Sequence, residues 1–476
     1  MESFESLDLA CNAAKEWLVG LDDRPVMAAA SLEELRRRLG GPLESAGEQS
    51  KEVIGHLLES TRDGLHGSAG GRFFAWVIGG SLPSALAADW LTSAWDQNAA
   101  LYGCGPAASV IEEIAGEWVK DLLQLPKESS FAFTTGCQLA HFTCLASARG
   151  RVLERTGWNV NEGGLFGAPE IRVLTSEHRH GSIDRAVRFL GFGSRSLVSI
   201  ATDRSGRIEP RTLSAALHKS HQPTIVVLSA ADLNIAAFDP FEELIPIAKQ
   251  CGAWVHVDGA FGLFSRASER FRHLTSGVDL ADSWATDAHK WLNVPFDCGI
   301  AIVRDHTAHR DAMTIRASYI TGDSSARDQI DWTPEWSRRA RGIGVYAALR
   351  ELGREGVSEL VERTSRHCWR LVTEIGRLPG VQMLWEPHLN QGLVRFLDRR
   401  PSASDADHDR MTDSIVAAIN ADGEAFFSLT TWAGKRAMRV SVVNWRTSER
   451  DVERTIAAVR RVLVRMEEAS DIGKVG

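Results

Sequence analysis

The chain has 476 residues, 44% hydrophobic and 24% charged, with a net charge of −8; that length supports two or three structural units sharing a large core. The charge balance leaves no basic footprint for nucleic acid, no apolar run is long enough to span a bilayer, and MESFESLDLACNAAKEW lacks the basic and apolar regions of a secretory signal. Seven scattered cysteines, Cys11, Cys104, Cys137, Cys144, Cys251, Cys298 and Cys368, without CxxC spacing, argue against a disulfide framework or a zinc site and for a reduced, cytoplasmic compartment.

Residues 1–104 read as a helical arm. SLEELRRRLGG (31–41) opens on a serine cap and closes on glycines. KEVIGHLLESTRDGL (51–65) has helical apolar spacing. PSALAADWLTSAWDQNAAL (83–101) starts with a proline suited to a first helical turn and is strongly apolar. From 105 to 344 the pattern alternates. IRVLTS (171–176), TIVVLSA (224–230), AWVHVD (253–258) and GIAIVRD (299–305) read as strands. SVIEEIAGEWVKDLL (109–123) and FEELIPIAKQCG (241–252) read as helices between them. Buried strands alternating with helices predict a mostly parallel sheet covered on both faces, which places ligands at the carboxyl ends of its strands. Residues 345–476 change character. A long helical run (346–375) precedes the strand candidates GLVRF (392–396) and AMRVSVV (437–443) and a last helix (451–468), predicting a smaller α+β domain.

Two segments carry chemistry. AWVHVDGA (253–260) puts Asp258 at the end of an apolar strand, where an unpaired carboxylate is costly. DAHKWLNVPFDCG (287–299) supplies the pair His289-Lys290. A carboxylate that keeps a pyridine nitrogen protonated, with a lysine amine that forms a Schiff base, is what pyridoxal 5'-phosphate (PLP) requires. The amine must be neutral to attack the aldehyde, so desolvation or nearby positive charge is expected to depress it. FTTGCQLAHFTCLASAR (133–149) supplies a strand, a turn and a helix. Thr135, Gly136, Cys137 and Gln138 are candidates for a phosphate cradle of backbone N–H groups.

These segments resemble the group II PLP-dependent amino-acid decarboxylases, the family of aromatic-L-amino-acid and glutamate decarboxylases. FTTG, SEHRHGSIDRA (176–186), AFDPFEELIPIA (237–248), HVDGAFG (256–262), DAHKW, SRRARG (337–342) and MRVSVVNWRT (438–447) fall in family order. The resemblance implies the PLP fold type I, like aspartate aminotransferase, and a homodimer in which the helical arm wraps the partner. It implies an L-amino-acid substrate, while the charge balance and the lack of a long apolar run lead to the expectation of no nucleic-acid and no membrane partner. It implies Lys290 as the attachment site, with Asp258 at the pyridine nitrogen. Ala260 would lie on the ring face, and His289 and Asn234 near the cofactor. His180 would stack on the ring and serve in proton transfer; His178 competes on composition alone, and motif register favours His180. Tyr319, in IRASYI, matches a lid tyrosine that protonates Cα after CO2 leaves, and TGDSSARDQID (321–331) suits a lid. Arg439 matches an arginine at the substrate or cofactor end of the site. Phe296 matches a pocket aromatic, and Phe73, Phe74 and Trp76 fall near the stretch lining that pocket. Val77 and Ala100 replace bulkier aromatics, which fits either a roomier, indole-sized pocket or a pocket of another shape. Cys137 and Gln138 depart from the family's second glycine and hydroxyl; backbone donors survive, and the Gln138 amide could substitute for the lost hydroxyl. The implied reaction is decarboxylation of an L-amino acid, aromatic or bulky and apolar by preference, with acidic and diamino substrates left open. The rivals are an aldehyde synthase or other PLP-dependent lyase on the same scaffold, and a non-catalytic relative.

Overall fold

The computed structural model describes residues 4–314 and 326–472. Two compact units arise, one from residues 79–366 and 387–392, the other from 1–78, 367–386 and 393–476. These limits differ from the changes of chain character at 104 and 344. The apolar helix Pro83–Trp95 belongs to the first unit, whereas the capped helix Leu32–Leu39 belongs to the second.

The first unit is built on seven strands: β1 (Ser130–Thr134), β2 (Arg172–Ser176), β3 (Leu197–Ile200), β4 (Thr224–Ser229), β5 (Trp254–Asp258), β6 (Ser283–Asp287) and β7 (Gly299–Val303). Their order is β1-β7-β6-β5-β4-β2-β3. The run β6-β5-β4-β2-β3 is parallel, and β7 lies antiparallel between β1 and β6. This is the expected mostly parallel sheet of fold type I. Every residue of β1, β6 and β7 is buried, as a sheet covered on both faces requires. The helix Cys137–Glu154 packs a continuous apolar surface (Ala140, Cys144, Ala148, Val152) into a core with Val173, Ile183, Ile225, Val227 and Trp254. Sequence periodicity located β2, β4, β5 and β7. It passed over β3 and also β6, whose SWATD has no run of branched residues.

In the second unit, β8 (Val381–Trp385), β9 (Gln391–Phe396), β10 (Ser428–Trp432) and β11 (Lys435–Ser441) form a sheet of order β10-β11-β9-β8. The helices Asp405–Asp422 and Glu449–Ile472 accompany it. A capping box between Ser404 and Asp407 starts the first of these, and Gly423, at φ 79°, ends it. Arg72, 2% exposed, ties the N-terminal segment in through Glu424 (2.9 Å) and Asp451 (3.7 Å). Phe73 stacks on Phe426 at 5.0 Å, with Trp76 beside that ring. No helix among the described residues is long and apolar enough to cross a membrane.

Candidate active site

Register delivers the chemistry to one edge of the seven-stranded sheet. Ser229, Asp258 and Ala285 are neighbours across β4, β5 and β6. Thr134, Gly299 and Asp287 are neighbours across β1, β7 and β6. The carboxyl ends of β1, β5 and β6 therefore open toward the same side, and the antiparallel β7 begins there.

The turn after β1 depends on glycine. Gly136 has φ 120°, a conformation other residues rarely adopt. A methyl group on Gly299 would stand 2.3 Å from the Gly136 carbonyl carbon. Two bare backbones thus meet where the helix Cys137–Glu154 starts, and Gly136 does not cap it with a side chain. Its first N–H, from Cys137, donates to Asp287 Oδ1 at 2.6 Å. Thr135 is exposed, and the Gln138 amide donates to the Ser182 carbonyl at 3.3 Å. Burial, then Asp287 and Asp258, push the Cys137 thiol well up, so it keeps its proton.

Lys290 follows in the turn after β6. Its Nζ lies 3.1 Å from Asp287 Oδ2, and its side chain is 19% exposed. Burial alone would lower this amine, but the carboxylates Asp287 and Asp258 outweigh it and hold it above the ordinary lysine value. That corrects the expectation of a depressed lysine: the carboxylate three residues earlier in DAHK favours the ammonium form. The His289 ring is fixed by the Cys298 backbone, with Nδ1 2.9 Å from its carbonyl oxygen and 3.2 Å from its nitrogen. Burial pulls its pKa down against the pull of Asp287. Phe296, 60% exposed, lies 4.5 Å from the His289 ring, centroid to centroid.

Asp258 ends β5 with its side chain 14% exposed. Burial would raise its pKa, but His141, His180 and Lys290, together with the Ala260 N–H at 3.1 Å, hold it below the usual carboxylate value. It therefore stands ionised. His141, fully buried, places Nε2 3.5 Å from Asp258 Oδ1. The Cys137 thiol, a His141 ring nitrogen and a carboxylate oxygen of Asp258 all lie within 4.8 Å of one another. His180 caps the helix Gly181–Phe189, its Nδ1 accepting the Ser182 N–H at 3.3 Å; that leaves the ring proton on Nε2. Asn234 sits in a turn held by Asp232, which accepts its N–H at 2.8 Å.

The structure thus brings together Gly136, Cys137, Gln138, His180, Asp258, Ala260, His289 and Lys290, with Phe296 beside His289. Trp76 and Arg439 belong to the other unit. Arg439 is 3% exposed on β11, opposite Ser428. Tyr319 lies outside the described residues. Asp287, His141 and His256 were passed over in the sequence. Their signals are positional: Asp287 is three residues before Lys290, His141 is one helical turn after Cys137, and His256 shares a strand face with Asp258.

These residues fit PLP. Asp258 is a largely buried carboxylate kept ionised, as a pyridinium partner must be. His141 Nε2 is buried and makes no hydrogen bond of its own, so it turns its full polarity toward that carboxylate. At the phosphate end, the helix start offers backbone N–H groups beneath a residue without a side chain, and the Lys290 amine completes the set. The one tension is Asp287, an anion already resting on the first of those N–H groups.

The model of the pyridoxal-dependent decarboxylase conserved domain matches residues 33–397. An L-2,4-diaminobutyrate decarboxylase of Rhizobium meliloti is 28% identical over 387 residues, covering 79% of this chain and 74% of its own. An aromatic-L-amino-acid decarboxylase of Bacillus atrophaeus is 24% identical, covering 91% and 89%. A 4-hydroxyphenylacetaldehyde synthase of Rhodiola rosea is 28% identical, also covering 91% and 89%. Among solved structures, Oryza sativa TDC with PLP and tryptamine superposes with a TM-score of 0.90 at 21% identity, covering 97% of each chain, a likeness of fold.

Proposed function

This chain belongs to the pyridoxal-dependent decarboxylase family, a PLP-dependent carboxy-lyase acting on an L-amino acid, and we propose that its substrate is aromatic or bulky and apolar. Lys290 would hold the cofactor through its amine, and Asp258 would pair with the pyridine nitrogen. The N–H groups of Cys137 and Gln138, with Thr135, Gly136 and His289, would hold the phosphate. Ala260 would meet the ring face, and Asn234 would stay near the cofactor. When bound, PLP supplies a ring that accepts the electron pair released as the bond from Cα to the carboxylate breaks.

The observation that carries this reading is the ionised, nearly buried Asp258 in electrostatic contact with Lys290 at the carboxyl edge of one sheet. His180, with its proton on Nε2, is suited to pass a proton to or from the reacting carbon, and Tyr319 is the proposed final donor. Phe296, exposed beside His289, supports an aromatic side chain in the substrate, as do the names of several relatives. The proposed roles of Trp76 and Arg439 are contact with the substrate side chain and a two-point clamp on a carboxylate. The proposed working form is a cytoplasmic homodimer.

The test is product stoichiometry across a panel of aromatic, acidic and diamino L-amino acids. Equal CO2 and amine from aromatic substrates, with little peroxide, is the expected result. Turnover confined to acidic or diamino substrates refutes the substrate class. Aldehyde, ammonia and peroxide from the unaltered enzyme would refute the amine-forming reading, an outcome kept in view by the aldehyde-synthase relative at 28% identity. Tyr319→Phe should keep PLP and CO2 release but divert product to aldehyde; amine at the native rate excludes Tyr319 as the donor.

A further inference from the structure

From Asp258 runs a line of buried polar groups to which the proposed reaction assigns no part. His141 Nε2 faces the carboxylate at 3.5 Å. His141 Nδ1 lies 2.9 Å from His256 Nε2. His256 Nδ1 lies 3.0 Å from Ser283 Oγ, and the Trp254 indole N–H donates to that same Oγ at 2.9 Å. His141, His256 and Ser283 are fully buried and Trp254 is 1% exposed. Polar groups so deep in a core must each find a partner, and a chain of them polarises as a unit.

One orientation suits every link, the last of which, His141 Nε2 to Asp258 at 3.5 Å, is an electrostatic contact longer than a formed hydrogen bond. A lone pair on His141 Nε2 would confront the carboxylate with a second acceptor, so Nε2 carries the proton. Then His141 Nδ1 is an acceptor and takes the N–H of His256 Nε2. His256 Nδ1 is in turn an acceptor and takes the Ser283 O–H. The Ser283 oxygen accepts from Trp254, an indole that can only donate. All donors point the same way, from the core toward Asp258.

We propose that Ser283, His256 and His141 form an oriented relay that presents one N–H to Asp258, making His141 a positioning residue that keeps the carboxylate ionised and the proton on the pyridine nitrogen of PLP. The inference rests on the reading of Asp258 as the partner of that nitrogen. Without the N–H, a desolvated carboxylate becomes more basic and draws the pyridine proton to itself. Both imidazoles are neutral: burial, then His141, takes His256 down to about 3, and burial lowers His141 against Asp258 and Asp287, aided by His180 and Lys290. The relay therefore acts by orientation, adding no net charge to the site. Among the described residues, the charged or titratable groups facing it are Asp258, Asp287, His180, Lys290, Cys137, Cys144 and the two relay histidines.

The experiment loads the full-length enzyme with PLP labelled with nitrogen-15 in the ring and reads the pyridine resonance. Asp258→Asn should move it to the unprotonated position; if it does not, or if no PLP is taken up, the reading of Asp258 fails and the relay with it. Given that shift, His141→Leu should move the resonance the same way and measurably weaken PLP binding, because the carboxylate then faces no N–H on that side. His141→Gln, which can place an N–H near the Nε2 position, should restore the protonated resonance. Ser283→Ala, altered at the far end and out of reach of the cofactor, should shift it in the same direction by a smaller amount. If His141→Leu and Ser283→Ala both hold the native resonance while Asp258→Asn loses it, the relay is overturned. A shift in His141→Leu that His141→Gln does not reverse also overturns it, because packing alone would then be the cause.

Discussion

Removing the charge of Asp287 should make the enzyme take up its cofactor faster. The carboxylate is 3% exposed, 3.1 Å from the Lys290 amine, and bound to the first N–H of the helix Cys137–Glu154. At an effective dielectric of 20, two unit charges at that separation attract by about 5 kcal/mol. Asp287→Asn deletes this attraction, leaving burial as the largest influence on the amine and pushing it toward its neutral, nucleophilic form. It also removes an anion from the ground where the phosphate is proposed to rest. Relaxation and water return part of the gross energy, so a surviving effect of about 1.5 kcal/mol is a conservative figure, or about tenfold in rate. The assay is stopped-flow absorbance of PLP uptake by cofactor-free enzyme at pH 7, with thermal melting to confirm the fold. An unchanged or slower uptake by a well-folded Asp287→Asn enzyme would refute the idea that this carboxylate restrains both the amine and the phosphate site.

Borohydride reduction and peptide mapping should place the pyridoxyl group on Lys290, and a label on another lysine would remove its assigned role. Asp258→Ala should retain attached cofactor and lose at least about 100-fold in turnover, as loss of a preorganised electrostatic group typically costs; near-native kcat would contradict the assignment. Gly136→Ala, at φ 120°, should cost about 1–3 kcal/mol in urea unfolding and weaken PLP binding; an unaltered midpoint would show that the turn tolerates a side chain. His309, fully buried between the Ser130 hydroxyl (2.8 Å) and the Trp332 carbonyl (2.8 Å), is held down to about 3 by burial. Its unfolded value is higher, so the stability of the neutral ring is present above about pH 6.5 and is lost as pH falls toward 3. His309→Gln should therefore reduce the drop in unfolding free energy between pH 7 and 5 by about 2 kcal/mol, and an identical drop in both proteins would exclude the histidine as its source.

The fold was legible where burial leaves a simple signature. β4 and β5 are runs of branched residues, and the cap Ser31 and its partner Glu34 announce their helix by spacing alone. β6 was not legible, because Ser283, Thr286 and Asp287 face polar partners inside the core, and burial with satisfied hydrogen bonds looks like exposure in a sequence. The same blindness hid much of the site. Lys290 and Asp258 stand in motifs, but His141 and His256 acquire meaning only when a helix and a strand set them 2.9 Å apart. Asp287 was in plain view within DAHK, yet whether it meets the lysine amine or solvent depends on the turn that follows β6. Trp76 and Arg439 lie far apart in sequence and share a unit, a grouping that no local pattern encodes.

The placement of β7 also governs when the site can exist during synthesis. β1 has β7 as its neighbour in the sheet, and every backbone pairing of Ser130–Thr134 is made with Gly299–Val303. A chain emerging from the ribosome must therefore extend past Val303 before β1 gains its backbone pairing, although the helix that follows the Gly136 turn already packs on residues of β2, β4 and β5. By then β2 to β6 are all available, and their parallel array can form without that pairing. The proposed phosphate seat thus draws on an early segment whose strand waits some 165 residues for its partner, an interval set by the residue numbers of the paired strands. A nascent chain cut short before β7 would carry Asp258 and Lys290 without the Gly299 backbone against which the Gly136 turn rests, so the proposed phosphate seat would lack one wall.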